Sequence, residues 1–204
     1  MYNPIYIVRH VPHMSERVNC VQTLKQAIPD LVVIEDLEQK PMETFIKAIT
    51  FDNERPLITL EDDIELCDDF CDIVTKRVRE APYSVINFFG SCRSKRSHSK
   101  YQKGRYFKWT QCVYFPPGYG EMIADYLPTW REVTGPKLLA KFASYTPYTV
   151  DTLYDHMVAA WLDSRGEDYY ISLPALVQHL PVKSVTHSGL PTTRQNQTFK
   201  KVVV

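Results

Sequence analysis

Arg55-Pro-Leu-Ile-Thr-Leu-Glu61-Asp62-Asp63-Ile-Glu65 is an apolar run that stops at three adjacent carboxylates. Leu57, Ile58, Thr59 and Leu60 read as a buried strand, and a strand ending in acids delivers them together to the edge of a sheet. In α/β proteins that edge is where ligands bind. Neighbouring carboxylates repel, by about 1 kcal/mol per pair at 4 Å even in water, so a positive partner is expected close by. A hard divalent cation suits the role, because Mg²⁺ or Mn²⁺ takes oxygen ligands and bridges carboxylates to a substrate's phosphates. The plain alternative is a solvated acidic turn that caps the following helix, for which Asp68 and Asp69 are also placed.

Working outward, residues 5–8 form an earlier apolar strand that ends in Arg9-His10-Val-Pro-His13. Val18, Val21, Leu24 and Ile28 then recur at helical spacing, with Ser15 as the expected N-cap. A second strand over residues 31–34 closes on Glu35-Asp36, and residues 42–49 form a second amphipathic helix. After the acidic motif, a helix over residues 67–79 and a strand over residues 83–88 are expected. Strands alternating with helices at this spacing imply βαβ units with right-handed crossovers. The predicted class is therefore α/β, a single Rossmann-like domain whose central, mainly parallel sheet is flanked by helices. Arg9, Asp36 and Glu61 to Asp63 all sit at carboxyl ends of strands and converge on one rim, as a nucleotide site requires. No G-x-G-x-x-G or Walker loop occurs. This argues against a dinucleotide cofactor or P-loop-bound ATP, and leaves a metal to neutralise any phosphate bound here.

The pattern changes after residue 90. Residues 91–105 are polar and basic without hydrophobic periodicity, which reads as an exposed loop or a loose hairpin. Residues 106–114 hold short β-like runs, Pro116-Pro-Gly118 breaks them, and a helix is expected over residues 119–127. A Pro-interrupted connection with a short helix near residues 137–142 leads to a clear helix over residues 151–162. Asp151 and Asp155, four apart, would share a face of that helix. A last strand over residues 169–173 precedes Pro174-Ala-Leu-Val-Gln178-His179, and the polar tail beyond Pro191 is expected to fray.

At 204 residues, with 44% apolar and 24% charged side chains, the chain suits one well-buried domain. Its formal net charge of zero hides a segregation: residues 51–80 hold ten Asp or Glu, whereas residues 81–120 hold none and carry seven Lys or Arg. No run approaches the roughly 18–20 apolar residues that span a membrane, and the N-terminus has no basic leader of a signal peptide. The five cysteines lack a repeated short spacing, so free thiols in a reducing cytoplasm are the simplest account. Cys67 and Cys71 are one helical turn apart, but no second pair completes a zinc site.

The order of these features resembles metal-dependent glycosyltransferases of the GT-A fold. The likeness is strongest to the lipooligosaccharide galactosyltransferase-like group and its small phage relatives. It rests on a first strand with Arg9 beside it, the Leu60-Glu-Asp-Asp63 strand end, a helix with paired acids, and Pro174-Ala-Leu-Val-Gln-His179 followed by Ser184. It covers roughly residues 3–90 and 148–188. The resemblance implies that the acidic motif is the "DxD" element, which holds Mn²⁺ or Mg²⁺ against the diphosphate of a nucleotide sugar, a UDP-sugar being favoured. Asp63 would be the direct ligand, Glu61 would assist it or bind through water, and Asp62 would face the nucleotide sugar. His179 would complete the metal shell, with His187 in reserve; the plain alternative for either is a histidine satisfied by backbone. Arg9 and Arg17 would face the nucleotide or its phosphates, and Asp36 its base or ribose. Residues 1–90 would form the nucleotide-sugar half, residues 91–190 the acceptor and catalytic half, and residues 191–204 a flexible tail.

An inverting transferase needs a carboxylate to take the acceptor's proton, and Asp151 and Asp155 are the candidates. Their other reading is compensation of the helix dipole, and a retaining enzyme would need no such base. The basic segment is the clue to the acceptor. Arg93, Lys95, Arg96, Lys100, Lys103 and Arg105, interleaved with Tyr101 and followed by Trp109, suit neutralising phosphates and stacking on exposed bases. Trp130 and Trp161 could also stack on sugar or base, with the core the expected place for Trp161. Some phages glycosylate hydroxymethylated pyrimidines of their own DNA, so modified DNA is the favoured acceptor and the host cytoplasm the expected place. Two alternatives stay open: the same chemistry on a saccharide or lipopolysaccharide, and a non-catalytic nucleic-acid-binding protein whose acidic motif is structural. A solvated loop that only shields the diphosphate is the plain reading of the basic segment.

Overall fold

The structure is a computed structural model, and it describes residues 3–89, 101–103, 107, 109–142, 148–182 and 199. Strand β1 (Ile5–His10), helix α1 (Ser15–Ala27), β2 (Val32–Glu35), α2 (Pro41–Ile49) and β3 (Leu57–Glu61) open the chain. β4 (Ile64–Leu66), α3 (Phe70–Glu80), β5 (Ile86–Asn87), β6 (Tyr101–Lys103) and β7 (Cys112–Phe115) follow. Then come α4 (Tyr119–Asp125), α5 (Leu127–Thr129), a π-helical turn (Trp130–Thr134) and α6 (Gly135–Phe142). A 3₁₀ turn (Val150–Thr152), α7 (Tyr154–Arg165), β8 (Tyr170–Ser172) and β9 (Val177–His179) complete the described elements.

Seven strands form the main sheet in the order β2-β1-β3-β7-β5-β8-β6. β1 lies parallel to both β2 and β3, and β5 parallel to β8, whereas β7 is antiparallel to β3 and β5 and β6 is antiparallel to β8. Five strands thus share one direction and two oppose it, so the fold is α/β with a mostly parallel sheet. β4 and β9 form a separate antiparallel pair in which Ile64 faces His179.

The two faces of the sheet are covered by different helices, and the pleat sorts side chains between them. On β7, Cys112 and Tyr114 join Val8, Ile58 and Leu60 in a core that includes Val21 and Leu24 of α1 and Val74 and Val78 of α3. Val113 and Phe115 point the other way, into a core with Phe45 of α2, Ile123 of α4 and Met157 and Trp161 of α7. A sheet covered on both faces calls for continuous apolar runs, which is why Leu57, Ile58, Thr59 and Leu60 are all buried. α4 crosses the end of α2 so closely that a Cβ on Gly120 would lie 1.6 Å from the carbonyl oxygen of Ile49.

Several local expectations change. Ser15 is the first residue of α1; the N-cap position falls to Met14, which is extended and makes no side-chain cap. The helix expected over residues 67–79 starts at Phe70, because Cys67 is still tied by its N–H to the carbonyl of Leu176. The strand expected over residues 83–88 is only Ile86–Asn87. Asp151 lies in the 3₁₀ turn and Asp155 in α7, so the two are on different elements and do not share a helix face. Trp161 is buried as expected, and Trp130 is fully buried as well, its indole N–H donating to the carbonyl of Val150 at 3.2 Å. Cys20, Cys67, Cys71 and Cys112 are free thiols, and burial pushes Cys67 up to about 11 and Cys20 up to about 12. No helix among the described residues is long and apolar enough to cross a membrane.

Candidate active site

The parallel register puts Arg9 beside Glu61 at the carboxyl ends of β1 and β3. Glu61 Oε1 accepts from Arg9 Nη2 at 3.0 Å, from Thr110 Oγ1 at 2.9 Å and from the Tyr154 hydroxyl at 3.2 Å. The Arg9 guanidinium lies over the rings of Tyr154 and Phe45, 4.7 and 5.2 Å from their centroids, a placement in which the ring faces attract the cation. Burial opposes the charge on Glu61, yet Arg9, His179, Thr110 and Arg17 together hold its carboxyl below the ordinary value. Burial and the Glu61 charge push the Tyr154 hydroxyl well above its own, so it stays a donor. Glu61 is therefore a brace joining β1, β3, the segment before β7 and α7.

Asp62 is held from three directions. His10 Nδ1 donates to Oδ2 at 2.9 Å, the Val11 N–H donates to the same oxygen at 2.7 Å, and Arg17 Nη1 pairs with Oδ1. Burial works against its charge, but these donors win and hold the carboxyl below the usual range. Asp63 Oδ2 accepts from Arg17 Nη2 at 2.7 Å and lies 3.4 Å from His179 Nε2. Its Oδ1 is buried with no hydrogen-bond partner among the described residues. Burial first, and the charge of Glu61 second, outweigh Arg17 and His179 and raise the Asp63 carboxyl to about 6. The positive partner expected beside the three acids is thus present as Arg9 and Arg17, both buried, with Arg17 bridging the two aspartates.

His179 reaches Asp63 because β9 pairs with β4 and the Leu180 N–H donates to the carbonyl of Asp63 at 2.8 Å. The residues present fit a divalent ion in part. Asp63 offers an oxygen that no donor occupies, and His179 offers a ring nitrogen beside it. Glu61 Oε1 is already taken by three donors, so it fits the expected ligand set less well. Among the described residues no three His, Cys, Asp or Glu side chains form a ready cluster. Mg²⁺ commonly accepts one or two carboxylates completed by phosphate and water, and Asp63 supplies one such carboxylate.

The other candidates separate. Arg9 and Arg17 are turned to carboxylates. Asp36, expected near the base or ribose, is buried and accepts from the Lys40 N–H at 2.7 Å just before α2. Asp151 pairs with Arg131 Nε at 2.9 Å, and Arg131 also reaches Glu43 at 2.6 Å. Asp151, expected as a candidate base, thus takes part in a surface ion pair. Asp155 accepts the Trp109 N–H at 3.2 Å and the His156 N–H at 2.9 Å. Arg93, Lys95, Arg96, Lys100, Arg105 and His187 lie outside the described residues, and Lys103 is placed only as part of β6. Tyr154, Thr110 and His10 belong to the site without having stood out in the sequence. Tyr154, next to Asp155, carried the one available signal, an aromatic at the polar start of a helix. A cavity of about 700 Å³ beside β4, lined by Cys20, Leu24, Leu66, Cys67 and Phe70, adjoins the acidic motif without including it.

Compared with known proteins, the chain matches no protein-family model, and no curated protein matches it in sequence.

Proposed function

We propose that the protein is a metal-dependent glycosyltransferase of GT-A type, moving a sugar from a nucleotide-sugar donor, a UDP-sugar being favoured, to an acceptor hydroxyl. One observation carries this: His179, 116 positions beyond Asp63, lies 3.4 Å from it, and the other Asp63 carboxylate oxygen is buried and unpartnered among the described residues. That junction sits where strands of a mostly parallel sheet end, the usual place for a ligand in such folds.

Cleaving the bond between the anomeric carbon and phosphate leaves growing negative charge on the departing diphosphate, and fixed positive charge there lowers the barrier. A divalent ion held by Asp63 and His179 would supply that charge. Arg17 and His10 keep Asp62 ionised and oriented beside it. The Glu61 brace holds the ends of β1 and β3 together, so the geometry is set before substrate arrives. With Asp151 and Asp155 both engaged, the proposal rests on stabilising the leaving group rather than on a general base.

Hydroxymethylated pyrimidine DNA is the favoured acceptor, supported by the run of basic residues from Arg93 to Arg105 and the absence of acids between residues 81 and 120. The test has two arms. UDP or GDP with Mn²⁺ should raise the melting temperature, as a ligand of the native state must; no shift with either nucleotide would overturn the transferase assignment. A labelled nucleotide sugar is then offered to hydroxymethylcytosine, hydroxymethyluracil and unmodified DNA. Donor hydrolysis without label on any DNA would leave a saccharide as the acceptor.

A further inference from the structure

The cavity of about 700 Å³ lies between α1, β4 and the start of α3, a size ordinary for small-molecule pockets. Cys20, Leu24, Ile64 and Phe70 line it and are themselves buried, so its floor is apolar. Two contacts frame it. The Cys20 thiol donates to the carbonyl of Ile64 at 3.1 Å, and the Cys71 thiol of α3 reaches the carbonyl of Ala27, at the end of α1, at 3.8 Å. Burial pushes Cys20 up to about 12 and Cys67 up to about 11, so both thiols stay neutral near pH 7 and serve as apolar wall. An apolar floor open to water is unfavourable until something covers it.

The charge of the lining has one sign. Four carboxylates, those of Glu65, Asp68, Asp69 and Asp72, line the cavity with no Lys, Arg or His. Asp69 and Asp72 are exposed and have no cation partner among the described residues. Asp69 stands at the N-cap of α3 but makes no side-chain bond to the helix. Compensation of the α3 dipole accounts for an acid at Asp72; it does not account for an open apolar cavity beside it.

We propose that this cavity binds an amphiphilic cation, a small molecule whose apolar body covers Leu24, Ile64 and Phe70 and whose ammonium or guanidinium group is held by Asp69 and Asp72. Charge complementarity names the occupant, because an anionic head would meet carboxylates alone. A body laid on apolar wall with its charge kept in water is the arrangement that lysine stems adopt on protein surfaces. The site is separate from the Asp63 and His179 junction, although the next residues, Ile64 and Leu180, belong to its wall. It does not depend on the transferase reading, so the failure of either leaves the other standing.

The test is calorimetric titration of the full chain with decylammonium, decanoate and uncharged decyl maltoside, each below its micelle-forming concentration. Decylammonium should bind saturably and more tightly than decanoate, and added salt should weaken it. The paired variant Asp69→Asn with Asp72→Asn should bind decylammonium roughly threefold or more weakly, as loss of exposed ion pairs implies, and bind decyl maltoside unchanged. Asparagine suits position 69, where φ is +53°, because it tolerates the left-handed region. Ala27 is exposed and lines the cavity, so Ala27→Trp fills the opening without emptying the core and should abolish binding of both probes. Decanoate binding as tightly as decylammonium overturns the proposal. So does a decylammonium affinity unchanged in both variants, or heat that never saturates.

Discussion

Replacing Asp63 by asparagine tests the electrostatics of the site without emptying it. The Asp63 carboxyl is raised from an ordinary 3.8 to about 6, burial being the first cause and Glu61 the second. Keeping it ionised in the folded protein therefore costs roughly 3 kcal/mol once the pH is above both values. A raised carboxyl favours the folded state most where it is protonated, below about 4, and that advantage is lost as pH climbs through about 6. Asparagine keeps the shape and never charges. In EDTA, Asp63→Asn should then equal the wild type near pH 4 and exceed it at pH 8 by up to about 3 kcal/mol in urea denaturation, or roughly 6–12 °C in melting temperature. If the proposed function holds, the same variant should lose the melting shift expected of the wild type with Mn²⁺ plus UDP. A variant less stable than wild type by more than about 1 kcal/mol at pH 8 would mean that Arg17 and His179 outweigh burial, and the account of the site would be wrong. Retention of the Mn²⁺-dependent shift would remove Asp63 from the ligand set.

Three further outcomes are expected. Arg17→Ala leaves Asp62 and Asp63 without their shared counter-ion and should cost about 3 kcal/mol in urea denaturation at pH 7; a loss under about 1 kcal/mol would contradict a buried bridge. Tyr154→Phe removes one of three donors to Glu61 and should cost roughly 1–2 kcal/mol, with an acid limb of unfolding moved to higher pH because Glu61 protonates more easily. Gly120→Ala, whose Cβ would lie 1.6 Å from the Ile49 carbonyl oxygen, should cost about 3 kcal/mol through displacement of α4 from α2; a melting temperature unchanged within a degree would refute that close approach.

Alternation along the chain exposed the α/β class, because apolar runs separated by helical periodicity appear locally. The end of β3 at Glu61 was equally plain, a buried run meeting charge. Strand direction was not: the insertion of β7 between β3 and β5 depends on pairings such as Leu60 with Cys112, which no local pattern encodes. The acids showed the same limit. Three adjacent carboxylates announced a need for positive charge, but their partners, Arg9, Arg17 and Tyr154, are separated from them by 45 to 93 positions. Arginines on an early strand and helix look like surface residues until the fold turns them inward. His179 was placed beside the acids by resemblance, and the physical reason for its position, the pairing of β4 with β9, is a contact between two three-residue strands too short to read.

That small pairing also sets an order of assembly. β1, α1, β2, α2 and β3 can associate while the rest of the chain is still being made, since β1 pairs with β2 and β3, all of which precede residue 62. Asp63, however, cannot meet His179, nor its carbonyl the Leu180 N–H, until the chain as far as β9 has left the ribosome. A nascent chain ending near residue 170 would carry the acids and Arg17 with no histidine beside them. The contact between Asp63 and His179 would then form late and abruptly during synthesis, with the last short strand.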